Sequence, residues 1–247
     1  MLLANKTAVV TGANRGIGQS IIDLFSKNGA NIFACSREVN DKFSQFIKLT
    51  EQKYKNKIIP VELDLSKIES IKSAFAKIRE QNDKIDVLIN NAATIHTALF
   101  NMTSIDKLRE IFEINFFSQT LFTQYVSKLM IKNNSGSIVY MSSSSAIDSN
   151  EGRSAYSASK AAIISQAKTL SRELGRYNIR VNAIAPGLTK TDMMYENTSK
   201  EIINQLKNNI SLNRYAEKIE VANVALFLSS ELASYINGQT IRVDGGL

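Results

Sequence analysis

The chain has 247 residues, 44% of them hydrophobic, with one cysteine and one histidine. That is enough apolar content for a real core, rules out an internal disulfide and leaves no zinc-finger spacing; no metal is expected. A formal net charge of +7 favours anionic ligands, but the densest lysine cluster, KYKNK at 53–57, lies between a polar helical stretch and a strand pattern, and no nucleic-acid signature accompanies it. Phosphate-bearing small molecules are therefore preferred to nucleic acid.

Two prolines and no Gly/Ser-rich linker argue for a single domain over residues 1–247. No apolar run approaches the ~18 residues of a membrane span. The start, MLLANKTAVVTG, lacks the charged and apolar regions of a secretion signal, so a cytoplasmic location is expected.

Short runs rich in Val and Ile predict strands at 7–10, 31–35, 58–62, 86–89, 137–141, 180–184 and 240–243. Amphipathic segments lie between them. Ile68, Ile71, Phe75 and Ile78 step by three and four along one helix face, and Leu108, Ile111, Asn115 and Phe116 begin another. Strand alternating with helix implies right-handed crossovers and a parallel sheet covered on both faces, a doubly wound α/β domain. Ligands in such a sheet bind beyond the carboxyl ends of the strands.

The first strand runs into TGANRGIG, Thr11 to Gly18. Gly12 permits a tight turn, Gly16 lets backbone N–H groups approach a pyrophosphate, and Gly18 allows the new helix to pack on the sheet with its N-terminus facing the phosphates. The spacing G-x-x-x-G-x-G differs from the commoner G-x-G-x-x-G fingerprint. After the second strand comes FACSRE: Ser36 and Arg37, with Arg15 projecting from the glycine turn, argue for the 2′-phosphate of NADP(H), and Glu38 is the contrary feature. After the third strand, Asp64 and Leu65 in ELDLS stand where they could border the adenine. An acid in that place is equally an ordinary helix cap.

Reducing a ketone needs a hydride, a proton for the developing alkoxide, and donors that hold the carbonyl. In YSASK, Tyr156 and Lys160 are four apart and share a helix face. A tyrosine with an ordinary pKa of ~10 is a poor acid at neutral pH, and a neighbouring ammonium brings it toward the working range. Tyr156 is thus the expected proton donor and Lys160 its electrostatic tuner.

The segments TGANRGIG, DVLINNA, INFFS, MSSSS, YSASK, VNAIAPG and YINGQTIRVDGG stand in the order and at roughly the separations seen in short-chain dehydrogenases/reductases of about 250 residues, and the resemblance covers essentially the whole chain. The tail resembles that of bacterial 3-oxoacyl-[acyl-carrier-protein] reductases and of the polyol, sugar and hydroxy-acid reductases near them. The resemblance implies a Rossmann-like seven-stranded parallel sheet, nicotinamide-dependent hydride transfer and a homotetramer or homodimer. It also implies a set of site residues.

Counting thirteen back from Tyr156 gives Ser143 as the serine that holds the carbonyl. Ser144 competes with it, because Ala146 stands where many relatives have glycine. Asn115 matches the helix-breaking asparagine that supports a water chain from the lysine, which itself matches the residue bonding the nicotinamide ribose. Asn14 and Ile17 join the glycines around the phosphates. Asn90 matches a structural position, and the Asn91–Ala92 backbone lies beside the adenosine ribose, with Ala93 replacing the usual glycine. Pro186 and Gly187 shape a turn, Thr189 and Thr191 hold the carboxamide, and residues 190–212 form a substrate lid. His96 receives no role.

The expected activity is NADPH-dependent reduction of a carbonyl, with 3-oxoacyl groups on acyl carrier protein as first-choice substrate. A sugar, polyol or other small hydroxy/keto compound is the alternative. Many carrier-protein reductases have basic residues in the loop before the fifth strand, and KNNSGS keeps only Lys132. A non-catalytic NADPH-binding protein on the same fold is the third reading, and its expected mark, a broken Asn–Ser–Tyr–Lys tetrad, is not found.

Overall fold

The computed structural model describes residues 1–197 and 207–247. Its centre is a seven-stranded sheet in the order β3-β2-β1-β4-β5-β6-β7, every neighbouring pair parallel. The strands are β1 Thr7–Thr11, β2 Asn31–Ser36, β3 Ile58–Glu62, β4 Val87–Asn90, β5 Gly136–Met141, β6 Ile179–Pro186 and β7 Thr240–Val243. Helices cover both faces: α1 Gly16–Lys27, α2 Asp41–Tyr54, α3 Ile68–Gln81, α4 Ile105–Phe112, α5 Ser118–Lys132, a short α6 Ser145–Asp148, α7 Ser154–Leu174, α8 Asp192–Asn197 and α9 Lys218–Ser229.

The strands read as continuous apolar runs because both sheet faces are buried. Ala8 and Val10 belong to the core layer shared with Ile21, Ile22, Phe25 and Val221, while Val9, between them, belongs to the opposite layer with Phe122, Ile163 and Val181. That is the two-residue period of a strand used twice. The strand order reverses between β1 and β4, which opens a crevice at their carboxyl ends, where an open α/β sheet binds ligands.

Two local departures place functional groups. The helical pattern that begins at Ile105 does not run straight through to Lys132: residues Glu113–Phe117 form a π-helical turn between α4 and α5. The widened turn carries Asn115, which is fully buried rather than on a solvent face. Along α7 the buried face reads Tyr156, Lys160, Ile163, Ala167, Ser171, Leu174. Tyr156 and Lys160 are therefore the polar extension of a stripe that otherwise packs in the core.

Of the lid expected over 190–212, α8 and the return from residue 207 are described, and 198–206 lie outside the described residues. Its ends are stitched together, Lys190 N–H donating to the Ala216 carbonyl at 3.0 Å and Ala216 N–H to the Leu188 carbonyl at 2.9 Å. None of the described helices is long and apolar enough to cross a membrane.

Candidate active site

A cleft of 1330 Å³ runs along the carboxyl ends of the strands, from Arg37 and Asp64 past the glycine turn to Ser143 and Tyr156. At one end its wall is backbone. Gly12 and Gly16 have φ of +64° and +60°, the left-handed region that glycine adopts without a Cβ penalty. A Cβ on Gly12 would stand 2.8 Å from the Ala92 Cα, and one on Gly18 2.1 Å from the Gly12 carbonyl oxygen. The turn is thus packed as tightly as glycine allows.

Its shape is held from β4. Asn91 Nδ2 donates to the Thr11 and Gly12 carbonyls at 3.0 and 3.1 Å, and the Thr11 hydroxyl accepts the Asn91 and Ala92 N–H groups, both at 3.0 Å. The first turn of α1 has no side-chain cap and no acidic residue, and Gly16 and Ile17 line the cleft. An uncapped helix N-terminus of twelve residues opening on a cleft, with Arg15 and Arg37 on its wall, is the donor set that dinucleotide phosphates need. The residues present fit such a cofactor.

Asn14, Asp64, Leu65, Asn91, Ala92, Pro186, Gly187, Thr189 and Thr191 also line this cleft. Gly18 does not; it is buried beneath the turn. Ser36 differs from the expectation that its hydroxyl faces a 2′-phosphate: it is buried and donates to the Glu38 carbonyl at 2.6 Å, so the hydroxyl closes its own loop. Arg15 is paired across the cleft with Glu196 of α8 at 3.1 Å. Asp64 accepts from the Ser66 amide and hydroxyl at 3.0 and 2.7 Å, the local bonding of an acid that shapes a turn. Gly187 is packed against Asp244, whose Cβ a side chain there would meet at 2.7 Å.

At the other end the wall is side chains. The four serines have separate tasks. Ser142 donates from its hydroxyl to the Lys160 carbonyl at 2.9 Å, Ser144 N–H donates to the Pro186 carbonyl at 2.8 Å, and the Ser145 hydroxyl accepts from Asn150 Nδ2 at 3.2 Å. Ser143 is the one whose side chain acts on the Tyr156 phenol, lowering its pKa, and its hydroxyl accepts the Ser145 N–H at 3.2 Å. Burial pushes the phenol above its ordinary pKa, while the Ser143 bond and the positive charge of Arg153 pull it back.

Lys160 is 1% exposed. Burial draws its ammonium down to about 7. Nζ donates to the Met141 carbonyl at 2.6 Å and sits 5.9 Å from the centroid of the Tyr156 ring. The electrostatic tuner expected from the sequence is thus close to the phenol but only fractionally charged near neutrality.

Asn115 does not line the cleft. It locks it: Oδ1 accepts the Thr94 N–H at 2.8 Å, and Nδ2 donates to the Thr94 carbonyl at 2.9 Å and to the Ser159 hydroxyl at 3.1 Å. Ser159 in turn donates to the Tyr156 carbonyl at 2.8 Å, so the π turn, the loop after β4 and α7 are tied at one point. Asn90 is fully buried, donating to Thr123 at 2.8 Å.

Sequence reasoning missed Thr11 and Gln119, which donates to the Ala92 carbonyl at 2.6 Å; neither carries a spacing signal. It also missed Arg153, whose signal was available: a cation three residues before Tyr156, one helical turn away.

A family model described as enoyl-(acyl carrier protein) reductase matches residues 12–247. The chain is 38% identical over 245 residues to the 3-oxoacyl-[acyl-carrier-protein] reductase of Aquifex aeolicus, covering 99% of this chain and 98% of that one. The chain belongs to the short-chain dehydrogenase/reductase family.

Its place in the family makes it an oxidoreductase acting between carbonyl and CH–OH groups. Solved family members superpose over nearly the whole chain. A candidate NAD(P)-dependent gluconate 5-dehydrogenase from Beutenbergia cavernae, with NADP bound at low occupancy, gives a TM-score of 0.93 at 29% identity, covering 99% of this chain and 97% of that one. A 7α-hydroxysteroid dehydrogenase complexed with NADH and 7-oxo glycochenodeoxycholic acid gives 0.93 at 30%, covering 99% and 94%.

Proposed function

We propose that the protein is an NADPH-dependent carbonyl reductase whose first-choice substrates are 3-oxoacyl groups carried on acyl carrier protein. The observation that carries the reading is the buried Tyr156 phenol, whose pKa Ser143 pulls down, in a cleft that also holds Ser143, Lys160 and an uncapped helix N-terminus.

The bound nicotinamide supplies the hydride. Ser143 and Tyr156 present two hydroxyls to one oxygen, so negative charge developing on a substrate carbonyl meets donors already in place. Tyr156 passes its proton to that oxygen, and the phenolate left behind is stabilised by Ser143 and by the cations nearby. Lys160, fixed on the Met141 carbonyl, is the residue that would hold the nicotinamide ribose. Asn115 holds the Thr94 loop against α7 and supports the route by which the proton is replaced.

A pair of hydroxyls aimed at one oxygen suits C=O reduction, the chemistry named for the Aquifex relative, better than the C=C reduction in the family model's description. Arg37 and Arg15 recognise the 2′-phosphate. Ile95, Leu99, Ile114, Leu188 and Met193 give the substrate end an apolar wall suited to an acyl chain, and an acidic carrier suits a chain of net charge +7.

The second reading, a reductase of small hydroxy or keto compounds, is favoured by Lys132: this cation, retained at the end of α5 before β5, is paired with Asp83 at 2.7 Å. The protein acts as a homotetramer or homodimer in the cytoplasm, without nucleic acid or membrane. NADPH oxidation assayed with acetoacetyl thioesters beside keto-sugars and small diketones tests the substrate. Turnover confined to the sugars or diketones removes acyl carrier protein from the account.

A further inference from the structure

Arg153 stands at the N-cap of α7, one turn before Tyr156, half-buried in the wall of the same cleft. Its Nη2 donates to the carbonyl of Asn197, the last residue of α8, at 3.1 Å. The Thr97 hydroxyl, from the loop after β4, donates to the same carbonyl at 3.2 Å. One carbonyl oxygen therefore gathers the loop after β4, the start of the catalytic helix and the end of α8. The Arg15–Glu196 pair fixes the neighbouring residue of α8 to the glycine turn, so α8 spans the cleft between two arginines.

The position of the second arginine matters because of what faces Tyr156. On its own helix are Lys160 and Arg153. Ser143 comes from the loop after β5 and is uncharged. Among the described residues, Glu110 of α4, Glu151 in the loop before α7 and Asp192 of α8 are further charged groups on the cleft wall, and the positive charge of Arg153 pulls the phenol's pKa down. Lys160 is drawn down to about 7 by burial, so at neutral pH it carries only part of a charge. A guanidinium, although burial lowers its pKa too, stays charged throughout the working range.

We propose that Arg153 is a positioning residue that links α8 to the proton donor: seated on the Asn197 carbonyl, its guanidinium holds a positive charge beside Tyr156 and so favours the phenolate left when the proton is transferred. This rests on the assignment of Tyr156 as donor made above, and deepens it. The link makes full catalytic competence depend on α8 being in place over the cleft.

The test uses the full chain and needs no substrate. The protein has no tryptophan, so tyrosinate absorbance is unobscured, and the difference between each protein and its Tyr156→Phe counterpart gives the titration of Tyr156 alone. Arg153→Gln is expected to move that midpoint to higher pH, and Arg153→Lys, which keeps the charge, to restore most of the shift. Thr97→Val, which removes one of the two bonds to the Asn197 carbonyl, is expected to move it the same way by less.

On whichever alcohol the wild type oxidises, Arg153→Gln should lose roughly threefold or more in rate at pH 8, with the loss recovered as pH rises. An unchanged midpoint in Arg153→Gln, with only KM raised, would reduce Arg153 to an anchor for α8 and overturn the proposal. An unchanged midpoint in Thr97→Val, with Arg153→Gln shifted, would overturn the link to α8. Should Arg153→Gln fail to fold, Arg153→Met takes its place, an unchanged midpoint overturning the proposal in the same way, and Thr97→Val still reads the link to α8. Absence of thioester turnover removes the substrate reading above and leaves this titration untouched.

Discussion

The two ends of the cleft are built from different materials. Beside β1 the wall is main chain, held in one shape by glycines that tolerate no Cβ and by side chains such as Asn91 that bond the turn from behind. Beside β5 and β6 it is hydroxyl, phenol and amine, buried where apolar side chains would pack better. In the proposed function the first end binds by shape and backbone N–H groups, to be damaged by added atoms, and the second reacts through particular side chains, to be damaged by lost ones. Those side chains cost stability that the core stripe along α7 must offset.

Lys160 shows that cost most sharply. Its folded pKa, about 7, lies below the 10.5 of an ordinary lysine, so between these pH values the unfolded chain holds a proton that the folded chain has released. Stability rises with pH across that window, and the penalty is full below it. Lys160→Met should therefore raise the melting temperature at pH 6, by a gain of several kcal/mol that shrinks toward pH 10, while activity falls. A melting temperature lowered at every pH would show that the ammonium is not under strain.

At the glycine end, Gly18→Ala puts a methyl 2.1 Å from the Gly12 oxygen. The backbone must shift, costing about 1–3 kcal/mol, and NADPH affinity should fall with thermal stability, both readable in one melting series with and without cofactor. Ser143→Ala should do the converse, lowering kcat about a hundredfold while NADPH binding, followed by cofactor fluorescence, stays within about threefold of wild type. If Ser143→Ala lost binding and kept kcat, the division between the two ends would collapse.

The smallest effects concern cofactor choice. Arg37→Ala should reduce the NADPH/NADH ratio of kcat/KM about tenfold. Glu196→Gln, which releases Arg15 from its exposed pair, should raise that ratio two- to threefold. An unchanged ratio in Arg37→Ala would pass the adenine ribose to Glu38.

The same division decides how much was legible in the sequence. All seven strands were readable to within a residue or two, because burial on both faces leaves runs of Val and Ile, and the glycines announced themselves by spacing. Ser143 was counted from Tyr156 with Ser144 as its competitor, and Ser143 is the one of the two that pulls on the phenol's pKa. Composition leaves no mark of the one extra residue in the π turn at Glu113–Phe117, so the break was legible only through the resemblance that gave Asn115 as a helix-breaking asparagine, and its complete burial was not. Ser36 was misjudged because a hydroxyl at a strand end serves its own loop as readily as a phosphate. Arg153 and Glu196 act through residues brought close only by the fold, 44 and 181 positions away.

The central claim is that binding belongs to the glycine end and proton transfer to Tyr156, and both can be read on one preparation of Tyr156→Phe. NADPH affinity and steady-state reduction of the best carbonyl substrate should be measured side by side with the wild type. Affinity should stay within about threefold while kcat falls by about 10²–10⁴. Most of the reductase activity surviving in Tyr156→Phe would contradict the central claim.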